Sequence, residues 1–403
     1  MNILLVLPVN NLFDPNGESV HILNLCEAWV AHGHSIHVVS LKAKSDDEVF
    51  RQSKGLFIHS LPFSISPIDE LNFDSLKSIL KIPLILISSF LFSLYMIIRN
   101  NPDLIFVRYR PPFSSVSLLI NILTRKPMIT KFAGTAVYDY INLPFEKIIF
   151  KRFIQRSRFL IADSSHMVDV FKKEIPKYKL RKIQPPVCFD TPSRYFSKNR
   201  RESLSEFIVL YVSSFRKDED VFNFILASDF VSKKIPRITF KMVGDGATKS
   251  AAVRLSKRLN EHKNLLFLGS VPHDQIPNLL SNSDILVALY KPRYRAIPIK
   301  ILEYAAARKP IITTRNVEDI FEKELNLKCH DFFYSVESDA KSVAEAILKL
   351  YEDNSLRDRL ANNVSKLVMN FSLDSISQEY IKIFEEATDG LAKKKIADSH
   401  QTR

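Results

Sequence analysis

The stretch "ILVALYKPRYRAIPIKILEYAAARKPIITT", Ile285 to Thr314, joins an apolar run, a basic loop, a helical segment and a second apolar run. The two apolar runs, Ile285–Leu289 and Pro310–Thr313, have the length and β-branched content of buried strands. Glu303 lies one turn inside the segment between them. Strand–helix–strand units of this kind build parallel sheets, in which ligands bind at the carboxyl ends of the strands.

The same alternation runs through the rest of the chain. Further strands are predicted at Ile3–Leu7, Ser35–Ser40, Leu104–Val107, Met128–Lys131, Phe159–Ala162, Ile208–Val212, Thr239–Val243 and Leu265–Leu268. A proline-rich polar stretch, Lys182–Arg201, interrupts the alternation and reads as a linker. The sequence therefore predicts an α/β protein with two Rossmann-like, doubly wound parallel-sheet domains facing a central cleft.

We place the first domain at residues 1–190 and the second at 191–385, with a last helix that can pack back on the first domain. Residues 386–403 form a basic tail that we expect to be disordered. The 403 residues are 46% hydrophobic and 25% charged, which is ordinary globular composition. Three distant cysteines give no disulfide or zinc spacing, and "MNILLVLP" at the N-terminus lacks the features of a signal peptide.

The net charge of +13 is concentrated between Arg108 and Lys182, a segment that contains 16 basic and 5 acidic residues. The core of this patch alternates apolar residues with Lys147, Lys151, Arg152, Arg156 and Arg158. Such a helix suits binding to an anionic membrane surface. Alternatively, its basic side is simply solvated and its apolar side packs on the protein core. No nucleic-acid-binding motif accompanies the charge. The uncharged run Ile82–Ile98 is short for a membrane-spanning helix, so we expect a buried helix or one dipping into a membrane surface.

Four motifs in the second half carry a family resemblance. They are "YVSSFRKDEDV" (211–221), "MVGDGA" (242–247), "LLFLGSVPHDQIPNLLSNSDILVALY" (265–290) and "IPIKILEYAAARKPIITT" (297–314). Their order and spacing resemble the GT-B glycosyltransferases, specifically the retaining glycosyltransferase family 4. The resemblance covers residues 1–385 and is looser in the first half. It implies transfer of a sugar from a nucleotide-diphosphate donor to a hydroxyl, with neither a metal nor a further cofactor.

On this resemblance Glu303 accepts hydrogen bonds from the donor ribose, which fits a carboxylate because it offers only acceptor sites to a diol. The alternative is a solvated first-turn acid that stabilises the helix dipole. The helix N-terminus offers N–H groups to the diphosphate. The other residues expected at the donor are Pro298, Ile299, Lys300, Gly269, Val271 and Gly17.

Two departures from the family pattern concern the catalytic candidates, Arg216, Lys217 and Arg295. Arg295 stands where many relatives carry an acid near the donor sugar, so it could hold a phosphate or an acidic sugar, or mark weakened catalysis. Ser213, Ser214 and Glu219 replace the usual Gly-Arg and Lys, and Arg216 and Lys217 could serve instead. Asp218 and Asp220 could be read as a metal site, but first-turn acids are the expected reading.

The acceptor side is assigned to Arg108, Arg110 and Gly134, which follow two strands of the first domain. The arginines could bind an acceptor phosphate, as on a lipid-linked sugar, or belong to the basic surface. Phe132 holds a place where relatives often have His, and His21 is expected to be structural.

The predicted function is a glycosyltransferase using a UDP- or GDP-sugar, acting on a lipid-linked or saccharide acceptor in cell-surface polysaccharide or glycolipid assembly. Its predicted place is the cytoplasmic face of the membrane, with no nucleic acid as partner. The alternatives are a catalytically weakened nucleotide- or glycan-binding partner of a glycosyltransferase, and a sugar-nucleotide epimerase.

Overall fold

The structure is a computed structural model that describes residues 1–7, 17–40, 54–61, 76–110, 113–132, 144–187, 206–259, 264–326 and 328–401. It divides into two compact units. The first comprises Met1–Gln184 and Leu373–Arg403, and the second comprises Pro185–Ser372. Gly134 and most of the proposed linker lie outside the described residues.

The first unit contains a parallel sheet in the order β3-β2-β1-β4-β5-β6-β7. Its strands are β1 (Asn2–Leu7), β2 (Ser35–Ser40), β3 (Leu56–Ser60), β4 (Leu104–Arg108), β5 (Met128–Phe132), β6 (Phe159–Ala162) and β7 (Leu180–Lys182). Ile3 pairs with Ile36 on one side and with Leu104 on the other. The central strands are buried on both faces, which explains their continuous apolar sequences.

The helices between these strands are α1 (Gly17–Ala31), α2 (Leu76–Asn100), α3 (Ser115–Thr124), α4 (Pro144–Arg156) and α5 (Ser165–Phe171). One core cluster holds side chains of α2, α3 and α4 against one face of the sheet, including Ile85, Met96, Val116, Phe150 and Phe153. The three helices therefore share a layer.

The second unit contains a parallel sheet in the order β10-β9-β8-β11-β12-β13. Its strands are β8 (Phe207–Val212), β9 (Ile238–Val243), β10 (Leu265–Gly269), β11 (Ile285–Ala288), β12 (Ile311–Thr314) and β13 (Tyr334–Val336). Its helices are α6 (Val221–Lys234), α7 (Lys249–Leu259), α8 (Ile276–Ser281), α9 (Ile299–Ala306), α10 (Arg315–Leu325), α11 (Ala340–Glu352) and α12 (Asn354–Val364), with 3-10 turns at His273–Gln275 and Ser365–Phe371. Apolar clusters cover both faces of this sheet.

The last helix, α13 (Leu373–Gln401), packs within the first unit against α1, β4 and β5. Trp29 of α1 makes edge-on ring contacts with Phe106, Tyr380 and Phe384. These rings cover the face of the sheet opposite α2, α3 and α4. Helical backbone continues to Gln401, where the sequence analysis expected a disordered tail.

The predicted doubly wound sheets are confirmed, and the three strands that were not predicted are all edge strands. They are β3, β7 and β13, and the last two have three residues each. A run of that length carries too little periodicity to be recognised, and an edge strand is less buried than a central one.

Helix α2 contains a 19-residue apolar run, Ile82–Asn100, which by length and composition could cross a membrane. No other helix in the described ranges meets that criterion. Only 28% of the window is buried.

Candidate functional site

Most of the residues predicted to bind a donor lie after β8, at the end of β10 or between β11 and the first half of α9. The strands are parallel, so their carboxyl ends and the loops that follow lie at one edge of the second unit's sheet. Helix α9 begins at the same edge, after the loop that follows β11.

Two glycines let the loops after β8 and β9 approach each other closely. Gly244 has a φ of +123°, and a Cβ there would lie 1.7 Å from the carbonyl oxygen of Ser213. Gly246 has a φ of +151°, and its Cβ would lie 2.0 Å from the oxygen of Ser214. Only glycine fits at either position, so the "MVGDGA" motif is explained by backbone packing at the site.

Glu303 is buried in α9 and is hydrogen-bonded to His273. The His273 Nε2 lies 3.1 Å from the Glu303 Oε1, which accepts the hydrogen bond. Burial opposes the charged imidazole, but the hydrogen bond and negative charge of Glu303 raise the pKa of His273 above its ordinary value. The reading of Glu303 as a solvated first-turn acid is therefore wrong, since its side chain is 10% exposed. His273 was not predicted as a site residue, although it lies four residues after Gly269 in the motif 265–290.

Glu219 is a buried carboxylate whose two oxygens are both occupied. Its Oε1 accepts from the Lys300 Nζ, and its Oε2 accepts from the Ser213 hydroxyl at 2.7 Å and from the Arg216 backbone N–H at 3.3 Å. Burial alone would raise the pKa of Glu219, but Lys300 and Ser213 hold it below its ordinary value. The carboxylate therefore ties the loop after β8 to the first turn of α9.

The three catalytic candidates differ in their surroundings. Arg216 makes a two-pronged contact with Asp218, with its Nε at 3.0 Å and its Nη2 at 2.6 Å from the two carboxylate oxygens. Lys217 is exposed. Arg295 is exposed and donates to the backbone carbonyls of Pro292 and Tyr294, so its guanidinium folds back on its own loop.

The Asp218 and Asp220 carboxylates are separately engaged. Asp218 binds Arg216, and Asp220 accepts from Asn223 at 2.7 Å and from the Ser338 hydroxyl. Among the residues described, no group of three or more His, Cys, Asp or Glu side chains could hold a metal ion.

Tyr304 fixes the orientation of α9. Its buried hydroxyl accepts from the Val212 N–H at 2.8 Å and donates to the Val287 carbonyl at 3.3 Å, which joins the helix to β8 and β11. Pro298 is the N-cap and lies just before the first turn rather than in it. The N–H groups of Ile299 and Lys300 precede the first intrahelical bond, which runs from Ile301 to Pro298.

The remaining donor candidates are spread over two units. Val271 packs against the core of the second unit, and Gly269 has a φ of +74° at the end of β10. Gly17 begins α1 in the first unit.

In the first unit, Arg108 lies at the carboxyl end of β4, directly beside Lys131 of β5 in the sheet register. Both residues, with His21, line a cavity of about 20 Å³. Burial and then the charges of Lys131 and Arg108 hold the pKa of His21 well below its usual value. Arg110 is half-buried, and its backbone N–H donates to the Ser114 hydroxyl. Lys131 was not predicted as part of this cluster, because in the sequence it is only the last residue of an apolar strand.

Comparisons with known proteins agree with this architecture. Residues 15–190 match the family model "Glycosyltransferase Family 4", and residues 194–367 match "Glycosyl transferases group 1". In three dimensions the chain resembles Anabaena HepE, solved in complex with UDP-glucose, with a TM-score of 0.71 and 16% identity over 96% of this chain and 100% of that one.

Two curated relatives match parts of the chain. Alpha-D-kanosaminyltransferase of Streptomyces kanamyceticus is 25% identical over 201 residues, 49% of this chain and 50% of the relative. N,N'-diacetylbacillosaminyl-diphospho-undecaprenol alpha-1,3-N-acetylgalactosaminyltransferase of Campylobacter jejuni is 31% identical over 120 residues, 30% of each. The matched segments thus span half or less of the curated relatives' lengths.

The two family models follow each other along the chain and between them cover every strand of both sheets except β1, together with the motif-bearing loops of the second unit. The chain belongs to the GT-B glycosyltransferases of the family 4 type.

Proposed function

We propose that this protein transfers a sugar, with retention, from a nucleotide-diphosphate sugar to a hydroxyl group of an acceptor. The observation that carries this proposal is the first half of α9. There a buried carboxylate, Glu303, lies one turn after a helix N-terminus that offers the cation of Lys300 and two N–H groups ahead of the first intrahelical bond. The carboxylate suits a ribose diol, and the N–H groups with the cation suit a diphosphate.

In this proposal the protein mainly orients the donor and stabilises its leaving diphosphate. The negative charge grows on the diphosphate as the bond to the sugar breaks, and fixed cations and N–H dipoles stabilise that charge best in a site shielded from water. Lys300 and the Ile299 and Lys300 amides act there from α9, while Arg216 and Lys217 act from the loop after β8. Arg295 binds the sugar or a phosphate once it leaves its own loop carbonyls. The diphosphate itself takes the proton from the acceptor hydroxyl.

The donor is a UDP- or GDP-sugar in this proposal. UDP-glucose is bound by HepE, which shares the fold. Val271 and the chain after Gly269 lie at the strand edge where a base would stack beside Glu303.

The acceptor is proposed to carry a phosphate that Arg108 and Arg110 bind, as in a polyprenyl-diphosphate-linked saccharide of polysaccharide or glycolipid assembly. The Campylobacter relative is named for such a lipid-linked substrate. We place the protein at the cytoplasmic face of the membrane. Support for this location comes from α4, whose Lys147, Lys151 and Arg152 are exposed while Phe150 and Phe153 are buried.

A second candidate function is a non-catalytic nucleotide- or glycan-binding partner of a glycosyltransferase. One observation favours it, because the cations nearest the proposed diphosphate site already have carboxylate partners. Arg216 is paired with Asp218, and Lys300 with Glu219.

Thermal unfolding with a panel of UDP-, GDP-, ADP- and dTDP-sugars tests the proposal. A ligand at 100 times its Kd adds about 2.7 kcal/mol of apparent stability. Glu303→Ala should abolish the shift given by one nucleotide. Glu318→Ala is the matched control, because Glu318 is also a buried acid near the start of a helix, α10.

Turnover separates the two candidates. Sugar transfer to a lipid-linked or saccharide acceptor supports the enzyme, whereas binding without consumption of donor supports the partner subunit. No thermal shift with any of the nucleotides would overturn the transferase and would leave the partner subunit in its glycan-binding form.

A further inference from the structure

Helix α2 carries large apolar side chains on its exposed side as well as on its buried side, and its buried side also contains two serines. The side turned to the sheet carries Ser89 and Ser93, whose hydroxyls are fully buried without a hydrogen-bond partner among the described residues. The side turned away carries large apolar side chains that are 49–76% exposed, namely Leu84, Ile87, Leu91, Tyr95 and Ile98. These positions recur every three or four residues, so they form one stripe.

Helix α3 extends this exposed apolar surface. It packs against α2 in the same layer and exposes Leu119, Ile122 and Leu123, again on one face. We call these eight exposed side chains of α2 and α3 the apolar ridge. A contiguous exposed patch of this kind marks an interaction site in a folded protein.

The surroundings of the ridge are positively charged. Neither α2 nor α3 contains an acidic residue, and Arg99 and Arg125 are exposed at their C-terminal ends. Helix α4 packs against α3 and exposes Lys147, Lys151 and Arg152 beside the apolar Ile148. An apolar surface with a basic border complements an anionic lipid leaflet, whose headgroups are negative and whose interior is hydrocarbon.

We propose that the apolar ridge inserts into the acyl-chain boundary of an anionic membrane while the basic face of α4 binds the headgroups. The choice of partner rests on the membrane location proposed above, but the inserting surface is a separate assignment. The helix lies along the membrane rather than crossing it. Ile85, Met96 and Ile97 on its other side belong to the core of the first unit, so a crossing would expose that core.

Flotation of the full-length protein on phosphatidylcholine vesicles, with and without phosphatidylglycerol, tests the assignment. Leu91→Glu and Leu123→Glu should each weaken binding to anionic vesicles by about tenfold or more, because a charge enters the apolar layer. Phe230→Glu is the matched control, since Phe230 is 56% exposed in the second unit and should leave binding unchanged. Lys151→Glu with Arg152→Glu should remove the preference for anionic lipid.

Insertion depth gives an independent readout. A tryptophan placed by Leu91→Trp should be quenched by lipids brominated on their acyl chains, and one placed by Met369→Trp on the second unit should not. The native Trp29 is buried and is a constant background in both variants.

Binding of Leu91→Glu at the wild-type level, or absence of wild-type binding to any vesicle, would overturn the proposal. The proposal would also be overturned if light scattering showed a wild-type dimer that Leu91→Glu converts to a monomer. The apolar ridge would then bind a second copy of the protein. Ridge variants should keep the thermal shift with nucleotide-sugar, so failure of the donor site and failure of the ridge remain distinguishable.

Discussion

The Lys300 Nζ lies 2.5 Å from the Glu219 Oε1, and the two side chains are only 14% and 4% exposed. The pair joins the loop after β8 to the first turn of α9, where the donor diphosphate is proposed to bind. By resemblance, the position of Glu219 belongs to a lysine that contacts the diphosphate directly. In the proposed site the cation comes from α9 instead, and the carboxylate of Glu219 holds it.

The buried pair should contribute to stability as a unit. Glu219→Gln and Lys300→Met should each lower the free energy of unfolding by roughly 3 kcal/mol, because each leaves a buried partner uncompensated. The double variant should lose clearly less than the sum of the two single losses. Urea unfolding of the four proteins measures this coupling, and additive losses would show that the two side chains do not interact.

The same pair should compete with the donor. A diphosphate has to share Lys300 with Glu219, so Glu219→Gln should tighten binding of the nucleoside diphosphate by roughly fivefold or more, whereas Lys300→Met should weaken it. Isothermal titration with the nucleotide selected by the thermal panel measures both. If Glu219→Gln weakens binding as Lys300→Met does, the carboxylate acts instead by positioning the lysine.

The contact between His273 and Glu303 should make stability depend on pH near neutrality. The pKa of His273 is raised in the folded protein. The contribution of His273 to the free energy of unfolding is therefore fully present below the ordinary pKa of 6.5 and is lost as pH rises through the raised pKa. His273→Gln should remove this loss. Unfolding free energies measured between about pH 6 and pH 9 should fall more steeply in the wild type than in the variant. Parallel curves would contradict the assignment.

Gly244 should tolerate no side chain. Gly244→Ala combines a positive φ with a clash against the Ser213 carbonyl and should cost roughly 3 kcal/mol. Gly33→Ala is the control, because Gly33 has a φ of +84° with open space around its Cβ position and should cost roughly 1 kcal/mol. Thermal unfolding of both variants compares the two effects. Equal losses would mean that the loop after β9 moves away from Ser213 at little cost.

The sequence predicted the central strands well, because a strand buried on both faces must be apolar along its length. Edge strands β7 and β13 were missed because they are short and half-exposed, and β3 was missed because only its first residue is buried. The sequence motifs predicted the helix that contains Glu303 and Lys300, but not the partners of these two side chains. His273 is 30 residues from its partner Glu303, and Glu219 is 81 residues from its partner Lys300. A local sequence pattern cannot predict contacts between residues so far apart in the chain. Arg295 was assigned to the site by position alone, and its side chain turns to its own loop.

The return of α13 to the first unit also affects the order in which the two units can finish folding during synthesis. The second unit is continuous, so all of Pro185–Ser372 has emerged before α13 is made. The first unit comes first in the chain, yet Trp29 gains Tyr380 and Phe384 as neighbours only after the whole second unit has been translated. On the ribosome, the second half of this protein can therefore complete its fold before the first half does.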